Sequence, residues 1–310
     1  MSRLSKLSAT LVATTALAVP LTVGPLSAAS SATATRPAAP EPRCTLPAGL
    51  TELSGMASST RHPGVFYAHN DSGNANQVLA IDCSGPTGRL KATFTLSGTT
   101  NTDWEGIAVG PDQNGLPSVH VGDIGDNLSS RTEISVHRFA EPDQLADATV
   151  SPTTFRFTYS DGKHDAESLL VDPTTRQLQV ASKTIGAPGK VYKAPLPPQP
   201  GQVNTLTPAA EGPAWTTDGA YSPSGRSYVL RSGGPLGPNT AYVYNPSGTK
   251  LAEVALPNQA QGEAVTYADC TALLVGSEND NQIWRVPLPA DATPGCQGVI
   301  HRSAHLRPVR

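Results

Sequence analysis

The chain has 310 residues, 28 of them glycine and 29 proline; 15% are charged, 5% are aromatic, and the formal net charge is −3. A mildly acidic balance without basic runs excludes a nucleic-acid binder, whose surface must neutralise phosphates. It also lacks the polybasic stretch that holds a protein on an anionic membrane by charge alone.

The first element is a basic start, Arg3 and Lys6, followed by an uncharged apolar run from Ala9 to Val23 and small residues at Ser27-Ala28-Ala29 and Ala32-Thr33-Ala34. That order is a secretory signal peptide, assigned to residues 1–34. The run is interrupted by Thr14, Thr15, Pro20 and Thr22, and falls short of the ~20 apolar residues of a spanning helix. A secreted, extracellular, monomeric protein is expected, with no transmembrane segment in its mature part. Residues 35–43 read as a disordered Pro/Ala tail, 44–300 as the folded domain and 301–310 as a C-terminal tail. Four cysteines in an oxidising compartment imply two disulfides. Cys44–Cys83 with Cys270–Cys296 is preferred because each closes a local stretch; Cys44–Cys296, joining the termini, stays open. No CxxC spacing or neighbouring His suggests zinc.

Beyond residue 50, short β-type runs recur in threes. The first set is Leu53–Ala57, Val65–Asp71 and Val78–Asp82; the second is Trp104–Ala108, Val119–Asp123 and Ile134–Arg138. The third is Ala166–Leu170, Leu178–Lys183 and Val191–Lys193; the fourth is Thr217–Tyr221, Tyr228–Arg231 and Tyr242–Tyr244. The fifth is Gly262–Thr266, Leu273–Glu278 and Ile283–Val286. Ser54, Glu105, Glu167, Asp218 and Glu263 mark equivalent places, 51, 62, 51 and 45 residues apart. A fourth strand follows in four units, at Ala92–Leu96, Thr154–Thr158, Val203–Leu206 and Ala252–Leu256. Repeated four-stranded units of this size are propeller blades, because one such sheet cannot cover both its faces whereas a closed ring can. The expected fold is all-β, a β-propeller of five four-stranded antiparallel blades. Six stay open if the long second unit hides strands. Arg43–Leu46 or Gly298–His301 would complete the fifth blade.

The first strand of a blade lines the central channel, so Glu105, Glu167, Asp218 and Glu263 are expected there as an acidic ring. Glu52, Asp103 and Asp165 lie two residues earlier, on the same side of the strand by period-two alternation. Second strands end at Asp71, Asp123, Lys183, Arg231 and Glu278, which with Asp126 are expected on one loop-rich face. Crowded carboxylates bind a cation, share protons or pair with bases. Glu105, Glu167, Asp218 and Glu263 are candidate calcium ligands, since calcium takes six to eight oxygens; Lys183 and Arg231 would serve pairing. The loops Asn70–Asn74, Gly122–Asn127 and Glu278–Asn281 lack EF-hand spacing and read first as turns. His164 reads as a surface residue and the three tryptophans as packing. No GxSxG elbow occurs.

The strings SGMA…HNDSG, DWEGIAVG, GDIGDN, DAESLLVDP and QGEAV resemble secreted actinobacterial β-propeller proteins over roughly residues 44–290, and are more loosely similar to phytase-like and SdiA-regulated-type propellers. The phytase likeness implies a calcium-lined phosphate site on six blades. A phytase active site does not match here residue by residue. Two functions follow: a non-catalytic propeller binding an extracellular ligand or protein, with calcium as the one candidate cofactor, or a calcium-dependent hydrolase of phosphate esters.

Overall fold

A computed structural model describes residues 38–233 and 238–296. The expected signal peptide and the Gly298–His301 alternative lie outside them. In chain order the strands are β1 (Glu41–Thr45), β2 (Leu53–Ser58), β3 (Val65–Asn70), β4 (Gln77–Asp82), β5 (Arg89–Leu96), β6 (Trp104–Pro111), β7 (Pro117–Asp123), β8 (Ile134–Ala140), β9 (Ala148–Val150) and β10 (Thr153–Tyr159). There follow β11 (Ala166–Val171), β12 (Leu178–Ser182), β13 (Gly189–Lys193), β14 (Val203–Gly212), β15 (Thr216–Tyr221), β16 (Tyr228–Ser232), β17 (Thr240–Tyr244), β18 (Lys250–Ala255), β19 (Gly262–Asp269), β20 (Ala272–Ser277) and β21 (Asp280–Pro287). A short 3₁₀ turn, Ala290–Ala292, follows β21.

The inner strands β2, β6, β11, β15 and β19 each pack on the next, and β19 packs back on β2. From each inner strand an antiparallel meander runs outward. Burial follows this radial order: β11 and β12 are buried at every position, whereas β18 is buried at none. Five apolar layers fill the spaces between neighbouring meanders. Tyr67, Phe94 and Trp104 join the first to the second; Phe157, Leu169 and Tyr192 join the second to the third. Leu170, Tyr228 and Leu230 join the third to the fourth, and Val229, Val265 and Leu273 the fourth to the fifth. Met56, Phe66, Leu274 and Ile283 close the circle between the fifth and the first. Every sheet face is covered by a neighbour, which is the propeller solution to burying twisted sheets.

Three details depart from the repeat as read. The long second unit hides one short strand, β9, which pairs in parallel with β5 and extends the first sheet. Outer strands β10 and β14 also pair in parallel, fusing the second and third meanders into one eight-stranded sheet. And the tail expected to be disordered enters the fold at Glu41, where β1 pairs with β21 as the outermost strand of the fifth sheet.

The cysteines pair as Cys44–Cys83 and Cys270–Cys296. The first bridge ties β1, which belongs to the last sheet, to the end of β4 in the first. Cys44→Ala with Cys83→Ala therefore loosens the seam of the ring. Opening this 39-residue separation is expected to cost about 3–4 kcal/mol, read as a lower urea midpoint. A midpoint unchanged from the parent would show that the seam holds without it.

Candidate cation site at the acidic mouth

Each inner strand begins with an irregularity in its pairing to the second strand, and the residue at that β-bulge is turned away from the ladder. The shifts fall at Ser54, Glu105, Glu167, Thr217 and the Glu263-Ala264 pair. Two residues before each, a backbone carbonyl accepts from the loop after the second strand: Asp71 N to Glu52 O (2.9 Å), Ile124 N to Asp103 O (3.1 Å), Lys183 N to Asp165 O (2.9 Å), Gly233 N to Trp215 O (3.0 Å) and Glu278 N to Gln261 O (3.0 Å). The fourth unit is thus offset by one from the sequence alignment, with Thr217 and not Asp218 at the bulge.

Asp218 sits apart from the ring of glutamates. It is fully buried and accepts from the amides of Gly219 and Val265, both at 2.7 Å. Burial pushes its carboxyl well up, against the pull of the Val265, Gly219 and Met56 amides. Arg231, expected near the mouth, pairs opposite Asp218 in the ladder and is fully buried. Its guanidinium donates to Ala264 O (2.8 Å), Gly276 O (2.6 Å) and Gln259 Oε1 (2.9 Å). Burial lowers it to about 10. A Cβ on Gly262 would fall 1.8 Å from its Nη2, so only glycine leaves space for the arginine. Both residues are architectural.

The remaining acids gather at one mouth. Carboxylate oxygens of Asp71, Asp103 and Glu105 lie within 4.8 Å of one another. Asp71 comes from the end of β3 and the other two from the start of β6, so the site joins the first unit to the second. Asn101 positions it: its side-chain amide donates to Asp71 O (2.8 Å) and its Oδ1 accepts from the Trp104 amide (3.1 Å). Ser54 Oγ donates to Glu105 Oε2 at 2.7 Å. A Cβ on Gly125 would lie 2.4 Å from Asp103 Oδ2 and 2.8 Å from Glu105 Cγ, so this glycine clears the space the two acids occupy. Sequence reading named Asp71, Asp103 and Glu105 separately but missed Asn101 and Gly125; GDIGDN, with its glycine amid acids, was the available signal.

Deeper in, Glu167 Oε1 is paired with Lys183, while Glu167 Oε2 is buried without a hydrogen-bond partner. Burial, then Glu105 and Glu263, pushes the Glu167 carboxyl well up. Burial and Asp71 do the same to Glu105. Burial raises Glu263 to about 7; for Glu278, also raised to about 7, burial is joined by Asp71 and Glu52. Asp103 is lifted to about 6 by burial and by Asp71 and Asp165, and burial raises Asp165 too. Burial works against the charge of Lys183, yet Glu167, Glu263 and Asp165 hold its ammonium above the ordinary value. One lysine thus faces an excess of carboxylates.

The other expected residues are spent locally. Asp123 pairs with Arg131 at 2.8 Å. Asp126 accepts from the amides of Ser130 (2.8 Å) and Arg131 (2.7 Å), which hold its carboxyl down although burial opposes them. Glu52 is exposed and accepts from Asn74 at 2.5 Å; Glu278 accepts from Gln261. His164 bonds Asp161 at 3.0 Å. The opposite mouth holds a cavity of about 530 Å³ walled by Ala57, Val109, Val171, Ala220 and Tyr267, with no carboxylate in its wall. The two ends of the channel differ in chemistry, and the acids lie at one.

No family model matches the chain, and no curated protein matches it. Among solved structures it is similar to a gluconolactonase of Xanthomonas campestris, described as important in glucose secondary metabolic pathways, with a TM-score of 0.45 and 14% identity over 76% of this chain and 72% of that one. A likeness at that level carries no argument; ring and site stand on this chain's own geometry.

A carboxyl raised on folding binds a proton more tightly in the folded state, so its contribution to stability is present at low pH and lost as pH rises. For Asp103 the loss runs from the ordinary carboxylate range to about 6. In divalent-free buffer, Asp103→Asn is expected to gain stability over the parent as pH rises from about 4 to 6, with a constant difference above that. Melting curves across pH check this; a difference independent of pH would contradict it.

Proposed function

We propose that this chain is an exported, five-bladed β-propeller that binds a calcium ion at its acidic mouth and, through that ion, an anionic ligand or partner. Five inner strands, five meanders and five apolar layers support the blade count; β1 supplies the last strand of the fifth blade. The basic–apolar–small N-terminus and two disulfides support export. Among the described residues no helix is long and apolar enough to cross a membrane.

The observation that carries the cation reading is the meeting of Asp71, Asp103 and Glu105 in a space kept open by Gly125. An all-oxygen donor set suits a hard cation, and calcium's flexible coordination tolerates ligands from two different blades. The ion pair of Lys183 is made with Glu167 and not with this group. The unpartnered Glu167 Oε2 adds a further acceptor inside the mouth. Burial and neighbouring acids raise the Asp103 and Glu105 carboxyls, so a cation at this site competes with protons and its binding weakens as pH falls.

Binding is favoured over hydrolysis of phosphate esters by the fate of the two cations a phosphate would need: Lys183 is engaged by Glu167 and Arg231 is sealed beneath the ring. Calorimetric titration of the folded chain with calcium is expected to show one site with Kd of about 10⁻⁴–10⁻³ M, the range of extracellular modules. Asp103→Asn and Glu105→Gln should each weaken it by about tenfold or more, while Asp161→Asn leaves it unchanged. No heat and no thermal shift in millimolar calcium would overturn the reading; turnover of p-nitrophenyl phosphate that depends on calcium and on Glu105 would favour the hydrolase instead.

A further inference from the structure

At the mouth opposite the acids, the inner strands end around the cavity of about 530 Å³. β2 contributes Ala57, β6 Ala108 and Val109, β11 Val171, β15 Ala220 and β19 Tyr267, so all five units share the wall. No residue in that wall is charged. Two larger clefts elsewhere differ in this respect. One of about 600 Å³ includes Glu253, and one of about 680 Å³ includes Glu41, Arg43, Asp269 and Arg285.

The wall is built to stay open. Ala57, Ala108, Ala220 and Ala268 stand on four of the inner strands where they line the cavity; larger apolar side chains there would bury more surface and stabilise the ring. Each of the five turns around the rim is pinned. Glu141 accepts from Ser59 Oγ (2.6 Å) and the Thr60 amide (3.0 Å), and Asp112 from the Asn114 and Leu116 amides (2.8 and 2.9 Å). Asp172 accepts from the Thr174 amide (2.8 Å), Ser222 Oγ from the Ser227 amide (3.2 Å) and Asp269 from the Thr271 amide (2.7 Å). Hydroxyls in the wall are committed to the protein as well. Ser58 Oγ donates to Tyr267 O at 2.7 Å, Thr266 Oγ1 accepts from the Ser58 amide at 3.0 Å, and Tyr267 OH meets Ser227 Oγ at 3.3 Å. A cavity with pinned walls need not order its loops when a ligand enters.

We propose that this mouth is a second binding site, which takes one small, uncharged, apolar molecule. An ion entering it would leave its hydration shell for a wall that offers no opposite charge. An apolar molecule meets no such cost and gains by leaving water. The volume lies within the range of small-molecule pockets. The wall includes the rings of Tyr221 and Tyr267, which favours an aromatic ligand through ring–ring contact. The site lies at the far end of the channel from Asp71, Asp103 and Glu105, so it does not depend on the cation reading above.

The test compares two fluorescent probes on the full mature chain in EDTA. N-phenyl-1-naphthylamine is uncharged; 8-anilino-1-naphthalenesulfonate carries the same rings with a sulfonate. The uncharged probe is expected to bind saturably, one molecule per chain, and about tenfold or more tighter than the sulfonate. Ala220→Leu with Ala268→Leu should fill the cavity and weaken the uncharged probe about tenfold or more, with the urea midpoint reporting whether the variant folds. Asp103→Asn, at the other mouth, should leave it unchanged. The parent's preference between the probes decides the matter even where the double variant does not fold. Absence of saturable binding overturns the proposal, as do equal affinities for the two probes or binding by a folded double variant as tight as the parent's. Light scattering that shows a dimer dissociated by the double substitution would overturn it too, assigning the mouth to a second copy of the chain.

Discussion

Where β6 passes β11, a Cβ on Gly106 would lie 2.7 Å from the Leu169 amide nitrogen and 2.8 Å from its Cβ; a Cβ on Gly55 would meet Ile107 at 3.1 Å. At these two places the inner strands approach too closely for a side chain to stand between them. The bulges at the strand starts are where side chains can leave the ladder and turn inward. The polar chemistry lies at one end of the channel, and a largely apolar wall that includes Val109, Val171 and Tyr267 lies at the other. The glycines of DWEGIAVG and SGMA are demanded by close approach, a requirement that belongs to the ring and not to a ligand.

Electrostatics follows from that geometry. Carboxylates delivered by successive strands to a narrow mouth raise one another, and burial raises them further. The fold neutralises part of this itself. Asp218 is answered by backbone amides, Glu167 by Lys183 and Asp123 by Arg131. Asp71, Asp103 and Glu105 have no ion pair with a basic side chain among the described residues, and that difference is what supports the proposed cation site.

Much of the architecture was legible because each blade repeats the same alternation of short apolar strands and turn residues. The triplets and the fourth strands lie where the sequence suggests, and the cysteine pairing follows from local closure. Three features were not legible. β9 is three residues long and carries no pattern of its own; it forms because the edge of β5 offers unpaired backbone. The shift from Asp218 to Thr217 escaped because acids were aligned with acids, whereas the bulge is fixed by the backbone pairing of Thr216 to Ser232 and Asp218 to Arg231. The grouping of Asp71 with Asp103 and Glu105 is a contact across blades, which a repeat alignment places at two different positions and so keeps apart. Asn101 and Gly125 matter only once that contact exists.

The proposed cation site lies where the acids of the first two units meet. Crystals of the mature chain grown in calcium test it most directly. Electron density is expected for one ion bound by oxygens of Asp71, Asp103 and Glu105, beside an undisturbed Glu167–Lys183 pair. An ion held instead by Glu105, Glu167 and Glu263 with Lys183 displaced, or a mouth occupied by water alone at saturating calcium, would contradict it.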